Sequence, residues 1–476
     1  MTQKLDWETA PIWLWDQGSA PIRPIQHGTD RVDVLVVGAG LAGTATAYYL
    51  AENRPDLRVM VVEASQVGLG ATGRSTGIIG PGLGMPMRSL RRRYGDDVAA
   101  EAFASTLDGA AEIGRLIAAE GIDCDARLER QVIGALTERQ ERRMRRHTRD
   151  LAELGFDVPW WDRSMLDRRL GGAYRAAFAY ENVLLVDPYR LVTGLAVAAE
   201  RRGVRIAERT RVTRLETLPD GVLAHTPGGV IEADRVLLAV DGYGEKLNPH
   251  PSSVVPVRTH VVATAPLTAH QRAALGWDGV GGVIDQRNFF SYYRLGAGGR
   301  LVFGGGPARV PSGDPQRETR TSAAIFERVV EELHLRFPAL EGVAIEACWS
   351  GLTGGTLDRL PVVGAVGDNQ RVHFAGGWCG HGLSLCVSTA ERYARVLAHG
   401  RSTASGGSLP WFRSRASGLP AAVRSTGLPV YLRALDAQDR TASRPPTPSA
   451  PAAVQIPQAD PTSELVSHQG GEDRAA

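Results

Sequence analysis

VDVLVVGAGLAGTATAYYLAENRPDLRVMVVE, residues 32–63, is the stretch on which the fold turns. Val32 to Val37 form an apolar, β-branched run, long enough for a buried parallel strand. Gly38, Gly40 and Gly43 follow at GxGxxG spacing, and a small-residue helix is expected from Leu41 to Ala51. A second apolar strand, Val59 to Val62, ends in Glu63, twenty residues after Gly43. Each element of that spacing has a cause. Gly38 permits a tight turn, Gly40 admits a pyrophosphate to the backbone, and Gly43 lets helix pack on strand. The helix N-terminus offers unpaired N–H groups and a positive dipole end to phosphates. Glu63 accepts from ribose hydroxyls, and its charge disfavours a 2′-phosphate. Strand, turn, helix, strand and acid together predict a bound dinucleotide.

Working outward, 476 residues allow two or more domains with sizeable cores. The hydrophobic content of 43% and charged content of 22% are those of an ordinary globular protein. Fifty-four basic residues against 52 acidic ones leave a net charge of +2, with no electrostatic call for nucleic acid or a membrane. The Arg-rich stretch Arg142 to Arg149 lies in a Glu-studded helical segment and reads as a solvated face. Pro11, Pro21 and Pro24 break the first thirty residues, no apolar h-region or membrane-length run is seen, and four cysteines suit a reducing compartment. The cytoplasm is the expected location.

After Glu63 a Gly-rich loop runs from Val67 to Gly84, followed by a mostly helical region from about Arg88 to Leu170. Residues 183–240 read as loop, helix and strands, with Asp187 as the cap before Pro188. Residues 253–306 alternate between Gly-bounded turns and predict a separate antiparallel sheet. A charged helix from Thr321 to Leu335, a strand at Val372 to Phe374 and a final Gly-rich turn with its helix complete the pattern. The expected class is α/β (α+β overall). A Rossmann-like nucleotide-binding domain is drawn from residues 1–85, 175–245 and 345–410, a discontinuous build expected of a flavoenzyme, and a substrate domain from 86–174 and 246–344. Residues 441–476, rich in Pro, Ala, Ser and Gln, read as a disordered tail able to take a protein partner.

Several motifs in this order resemble the FAD-dependent oxidoreductases that include D-amino-acid oxidase, glycine oxidase, sarcosine oxidase and γ-glutamylputrescine oxidoreductase. They are the Trp- and Pro-rich lead WETAPIWLWD, then GLGATGRSTG from Gly68 to Gly77, VDPYRLVTGLAVAAERRGVRI, YYRLGAGGRLVFGGG, WSGLTGGTLDRLPVVG and GWCGHGL. The resemblance spans roughly residues 5 to 400. It implies that Gly38, Gly40, Leu41, Ala42 and Gly43 hold the FAD pyrophosphate and that Glu63 and Ala64 meet the ribose. It places Gly70, Ala71, Thr72, Arg74 and Ser75 along phosphates and isoalloxazine, and the backbone of a strand containing Val212 at the adenine. Gly377, Trp378, Gly380, Gly382 and Leu383 would face the flavin N1/C2 edge, where a helix N-terminus stabilises developing negative charge. Alignment on Trp349 and Asp358 puts Gly351, not Cys348, at the position of covalent attachment, so FAD is expected to be non-covalent, and no metal site is expected.

The implied reaction takes a hydride from the carbon beside an uncharged amine nitrogen, giving an imine that hydrolyses to a carbonyl compound. Oxygen or another electron acceptor would complete the cycle. Tyr292, Tyr293 and Arg294 are expected to roof the site, with His381 in the flavin-facing turn as a structural or proton-transfer residue. Cys379 reads as small-residue filler or a thiol beside the flavin, and Arg74 as a phosphate, substrate or solvent-facing group. Three departures inform the substrate. The resemblance puts substrate-gripping cations at Gly80 and Ser384 and an oxygen-activating Lys at Val302. Their loss favours an amine of the γ-glutamylputrescine kind. The alternatives are an amino acid anchored by Arg258 or Arg294, and a non-catalytic FAD-binding subunit of a complex.

Overall fold

The computed structural model describes residues 8–15, 23–170, 174–244, 247–311, 323–367, 370–399, 408–420 and 423–442. The apolar run becomes the strand Gly28–Val37, buried from Val34 to Val37, and the helix after it is Leu41–Asn53. Five strands lie parallel in the order Val372–Gly376, Gly229–Leu238, Gly28–Val37, Val59–Val62, Arg205–Ala207. Val362–Val366 adds an antiparallel edge, and the hairpin Arg214–Thr217 with Val222–Thr226 pairs onto the Gly229–Leu238 strand. One sheet is therefore built from three separated pieces of chain. Ala42, Ala45, Tyr48 and Tyr49 of the first helix share a core with Leu385, Val387 and Ala394 of the helix Gly382–His399. Small side chains allow the two helices to approach closely.

The second sheet is larger than expected. Its order is Ile345–Gly355, Val255–Pro266, Arg300–Arg309, Tyr292–Leu295, Val280–Asp285, Arg127–Ala135, Ala176–Leu185, Ile78–Ile79. Two stretches drawn within the FAD-binding domain, residues 176–185 and 345–355, form strands of this sheet. Ile345–Gly355 pairs along its length with Val255–Pro266, and Ala176–Leu185 pairs with Arg127–Ala135. The sheet is also mixed, because Val280–Asp285 runs parallel to Arg127–Ala135. That last strand interrupts the region expected to be helical. Its charged first half, Arg-Leu-Glu-Arg, hid it. Helices at Met87–Tyr94, Asp96–Glu120, Glu138–Glu153 and Arg163–Leu170 supply the rest.

The helix expected at Thr321 is described over Ala323–Arg336, and a further helix covers Leu428–Ala442. The tail beyond it, 443–476, lies outside the described residues. Asp187 caps Pro188–Arg201 as expected, its Oδ1 accepting from the N–H of Tyr189 at 2.9 Å and of Arg190 at 3.0 Å. Among the described residues no helix is long and apolar enough to cross a membrane.

Candidate active site

The first Gly-rich turn has the geometry its spacing demands. Gly38 has φ +105°, and a Cβ on it would lie 2.6 Å from the Ala239 carbonyl oxygen. A Cβ on Gly43 would collide with the Gly38 carbonyl, so helix and turn touch backbone to backbone. Gly40 is different: the nearest atom to its missing Cβ is Thr72 Oγ1 at 3.5 Å, which leaves an open approach. Leu41 N–H donates to that same Thr72 Oγ1 at 3.0 Å, so the second Gly-rich loop seats on the helix N-terminus. Ala42 is buried in the helix's first turn. Glu63 stands at the end of its strand with Oε2 accepting from Ala39 N–H at 3.0 Å and Oε1 from Ser65 N–H at 2.9 Å. Burial raises its pKa while the two amides pull it down. A carboxylate has further lone pairs to offer beyond these two bonds. Ala64 is exposed beside it.

The second Gly-rich loop is clamped by two indoles. Gly70 and Ala71 lead into the single turn Thr72–Arg74. Trp13 Nε1 donates to the Ser75 carbonyl at 2.9 Å, and Trp349 Nε1 to the Arg74 carbonyl at 2.9 Å. Arg74 faces inward rather than to solvent: Nε donates to Leu69 O at 3.0 Å and Nη1 to Ser350 O at 2.8 Å. The Trp-rich lead thus brings a residue to the site, and Trp13 was missed as a site residue because nothing near it in sequence is functional. Val212 needs a correction. It is buried but lies between Arg205–Ala207 and Arg214–Thr217, in neither strand.

The third element is the turn before Gly382–His399. Gly377 and Gly380 have φ of +74° and +84°, and Trp378 is buried. Gly382 and Leu383 open the helix, where first-turn N–H groups have no intrahelical acceptor. Gly377 N–H is already committed, to Asp241 Oδ1 at 2.8 Å, and Asp241 Oδ2 takes Gly354 N–H at 2.8 Å. Asp241 therefore ties this turn to the second sheet. Burial raises its pKa against the pull of these amides. Its signal in the sequence is an acid closing the buried run RVLLAV. Cys379 is a neutral thiol. Burial pushes its pKa up, Sγ accepts from Thr356 N–H at 3.3 Å and lies 3.2 Å from the Gly377 carbonyl as donor. Cys348 is likewise buried, its pKa pushed up to about 11.

His381 Nδ1 lies 3.0 Å from the Cys379 carbonyl. A carbonyl can only accept, so Nδ1 carries the proton and Nε2 the lone pair. Nε2 has no protein partner among the described residues and lies 3.9 Å from where a Gly82 Cβ would be. Burial lowers the imidazole pKa, the Cys379 bond opposes that, and the charge of Arg359 assists it. His381 is thus neutral with an open acceptor.

The strand Tyr292–Leu295 divides its three expected site residues between two faces, because side chains alternate. Tyr293 is corrected. It stacks on Phe303 at 5.1 Å in the core under Ala323–Arg336, its hydroxyl 2.5 Å from that of Tyr174. Tyr292 and Arg294 face the other way. The Tyr292 ring lies over Gly304, where any Cβ would collide with it. Arg294 is fully enclosed: Nη1 donates to Gly77 O at 3.2 Å, and the guanidinium lies 5.2 Å from the Trp13 ring centroid. Nε and Nη2 have no partner among the described residues, and burial lowers its pKa to about 10. It does not roof an open site. Arg258, the other expected anchor, donates to Ser350 Oγ at 2.9 Å.

Gly282 pairs with Arg294 on one side and Gln131 on the other, so these side chains flank it in one row across three strands. Gln131, 3% exposed, fills the space a side chain at Gly80 would need, and its Oε1 has no partner among the described residues. Sequence reasoning missed it, since Gln131 and Gly80 are brought together only by the folded sheet. Among the described residues no His, Cys, Asp or Glu group is arranged to hold a metal.

Comparison with known proteins agrees with this geometry. The family model described as FAD dependent oxidoreductase (DAO) matches residues 33–396. Gamma-glutamylputrescine oxidoreductase of Escherichia coli (strain K12) is 30% identical over 382 residues, covering 77% of this chain and 84% of that protein. Probable oxidoreductase OrdL of Rhizobium meliloti (strain 1021) is 29% identical over 408 residues, covering 84% and 91%. The crystal structure of glycine oxidase from Geobacillus kaustophilus superposes with a TM-score of 0.66 at 23% identity, covering 79% of this chain and 96% of that one.

Proposed function

Since the chain belongs to the DAO family of FAD-dependent oxidoreductases, enzymes acting on amines and amino acids, we propose that it oxidises the C–N bond of an amine of the γ-glutamylputrescine kind. The observation that carries this reading is Gln131. A neutral amide fills the place beside Gly80 where a carboxylate-gripping cation would stand. Ser384, buried with Oγ donating to His381 O at 3.2 Å, supplies no cation either. An α-amino acid would need another anchor, yet Arg294 is enclosed and Arg258 is engaged with Ser350.

The residues fit the cofactor. Gly38, Gly40 and Gly43 with the N-terminus of Leu41–Asn53 would hold the pyrophosphate, and Glu63 the ribose. The loop Gly70 to Ser75 and the turn Gly377 to Leu383 would flank the ring, with Gly351 leaving it unattached. Bound FAD supplies the hydride acceptor. The chain's own task is to deliver an uncharged amine. His381 Nε2 accepts the ammonium proton, its tautomer held by the Cys379 carbonyl. Tyr292 walls the site, and Trp13 and Trp349 hold the Gly-rich loop against it and exclude water. Four free cysteines support a reducing compartment, the cytoplasm.

The test is anaerobic bleaching of the flavin by γ-glutamylputrescine, putrescine, sarcosine, glycine, D-alanine and D-proline. Reduction by the amines alone is expected, and admitting air then identifies oxygen as acceptor or not. Reduction by the amino acids alone overturns the amine reading.

A further inference from the structure

We infer that Phe290 and Tyr292 form an aromatic wall that takes the methylene chain of an extended amine, and that Asp439 on the helix Leu428–Ala442 positions it. This rests on the proposed amine oxidation and on the place given there to Tyr292. Phe290 lies in the loop 286–291, between the strands Val280–Asp285 and Tyr292–Leu295. Ser291 turns away into buried contacts with Arg287 and Glu332, so Phe290 and Tyr292 on either side of it share a face. Their rings stand 5.7 Å apart at an interplanar angle of 59°. Tyr292 is half-buried, whereas Phe290 is 40% exposed. An exposed ring that continues a half-buried one offers methylenes a run of apolar contact leading outward from Tyr292.

The exposed ring is held from behind. Asp439, 4% exposed, accepts from two successive backbone N–H groups, Asn288 at 2.9 Å and Phe289 at 2.7 Å, and from Asn288 Nδ2 at 3.0 Å. Charge-assisted bonds to both amides fix the backbone that carries Phe290. The rest of the loop is tied by buried charges. Arg287 Nε donates to Asp285 Oδ2 at 2.9 Å, and its Nη2 donates to Glu332 Oε2 at 3.0 Å and to Ser291 Oγ. One turn before Glu332, Arg328 Nη1 donates to Asp436 Oδ2 at 2.8 Å. Loop, helix Ala323–Arg336 and helix Leu428–Ala442 thus close a ring, completed by Asp436 and Asp439 at i, i+3.

The helix that supplies this support lies beyond residues 33–396, and its Asp436 and Asp439 are both buried. Burying carboxylates costs desolvation, offset here by Arg328 and by the amides of the loop. The polar attachment of the helix is therefore directed at the loop that carries Phe290. A short α-amino acid has no chain to lay against such a wall. The methylenes of a putrescine moiety do.

The experiment follows anaerobic bleaching of the holoenzyme by γ-glutamylputrescine in Phe290→Ala, Asp439→Ala, Asp439→Asn and the Phe290→Ala/Asp439→Ala double variant. Apparent Kd should rise about tenfold in both alanine variants, the scale of one aromatic contact. For Asp439→Ala the loss should fall on Kd rather than on the limiting rate. Asp439→Asn, which keeps one acceptor oxygen, should restore part of it. The double variant should bind no more weakly than Phe290→Ala, because Asp439 acts through that ring. An unchanged Kd in Phe290→Ala overturns the wall. Multiplied losses in the double variant, or an Asp439→Ala protein that melts lower with Kd unchanged, overturn the positioning. Should Asp439→Ala not fold, Asp439→Asn alone and with Phe290→Ala makes the same comparison. If γ-glutamylputrescine does not reduce the wild-type flavin, the amine reading fails. The wall is then judged by the rise in melting temperature with that amine, where no rise, or an equal rise in wild type and Phe290→Ala, overturns it.

Discussion

Arg294 Nη1 donates to the Gly77 carbonyl at 3.2 Å, so a residue of the second sheet fastens the Gly-rich loop of residues 67–84. Arg294→Met should leave the sheet folded, because it removes a buried charge with two unpartnered groups. The loop loses its donor, and the FAD dissociation constant should rise about tenfold to a hundredfold, the range for one bond to a charged group. Fluorescence titration of the apoprotein with FAD measures it. An unchanged constant would remove Arg294 from the loop's support.

Gly77 itself is a sharper case. It has φ +72°, and a Cβ on it would collide with the Val186 carbonyl oxygen. Gly77→Ala should cost about 3 kcal/mol or more, through strain and backbone clash together. Gly95, with φ +85° and open space where its Cβ would be, isolates the strain. Gly95→Ala should cost only about 1 kcal/mol. Urea melts of the two variants separate the effects, and similar losses would refute the packing argument.

Glu63→Gln keeps one acceptor for the Ala39 and Ser65 amides, while Glu63→Ala keeps none. FAD affinity should fall in the order Glu, Gln, Ala, with the alanine variant weaker by about 2 kcal/mol or more. Isothermal titration with FAD reads this directly. Equal affinities in all three would mean the carboxylate has no part in the cofactor site.

His381 should be visible in the pH dependence of flavin reduction. Its pKa is lowered below 6.5 by burial, so the neutral acceptor persists down through that value and is lost as pH falls through the lowered native pKa. His381→Gln should slow anaerobic bleaching about a hundredfold and abolish that acid limb, with FAD still bound. Retention of both rate and limb would return His381 to a structural role.

Acid stability should depend on His260. It is fully buried against Phe326, neither ring nitrogen has a partner among the described residues, and burial lowers its pKa to about 3. The unfolded chain, with a His near 6.5, binds more protons between those values, so stability falls as pH drops from 6.5 toward 3 at about 1.4 kcal/mol per unit. His260→Leu should flatten that slope without loss at pH 8. An unchanged slope in acid melts would assign it to other groups, His373 first, whose pKa is lowered to about 4.

The nucleotide-binding half was legible because its signals are local. Val32–Val37, Gly38, Gly40, Gly43 and Glu63 occupy one short stretch, and each residue's role follows from spacing along the chain. The strand Ile345–Gly355 and its place in the second sheet were not legible, for the converse reason. An apolar run does not say which sheet will pair with it, and its partner Val255–Pro266 lies some ninety residues earlier. Tyr292, Tyr293 and Arg294 were marked as a group, but a strand sends neighbours to opposite faces, and only the sheet's packing decides which face meets the cofactor domain.

By itself the sequence determined the cofactor class, the turn that approaches the pyrophosphate and the family's order of motifs. All rest on backbone conformations set by neighbouring residues. Only the tertiary structure decided that Gln131 fills the room left by Gly80 and that Trp13 and Trp349 clamp the same loop. These contacts join residues tens to hundreds of positions apart. Their energies come from packing and hydrogen bonding, which no spacing rule along one strand or helix encodes.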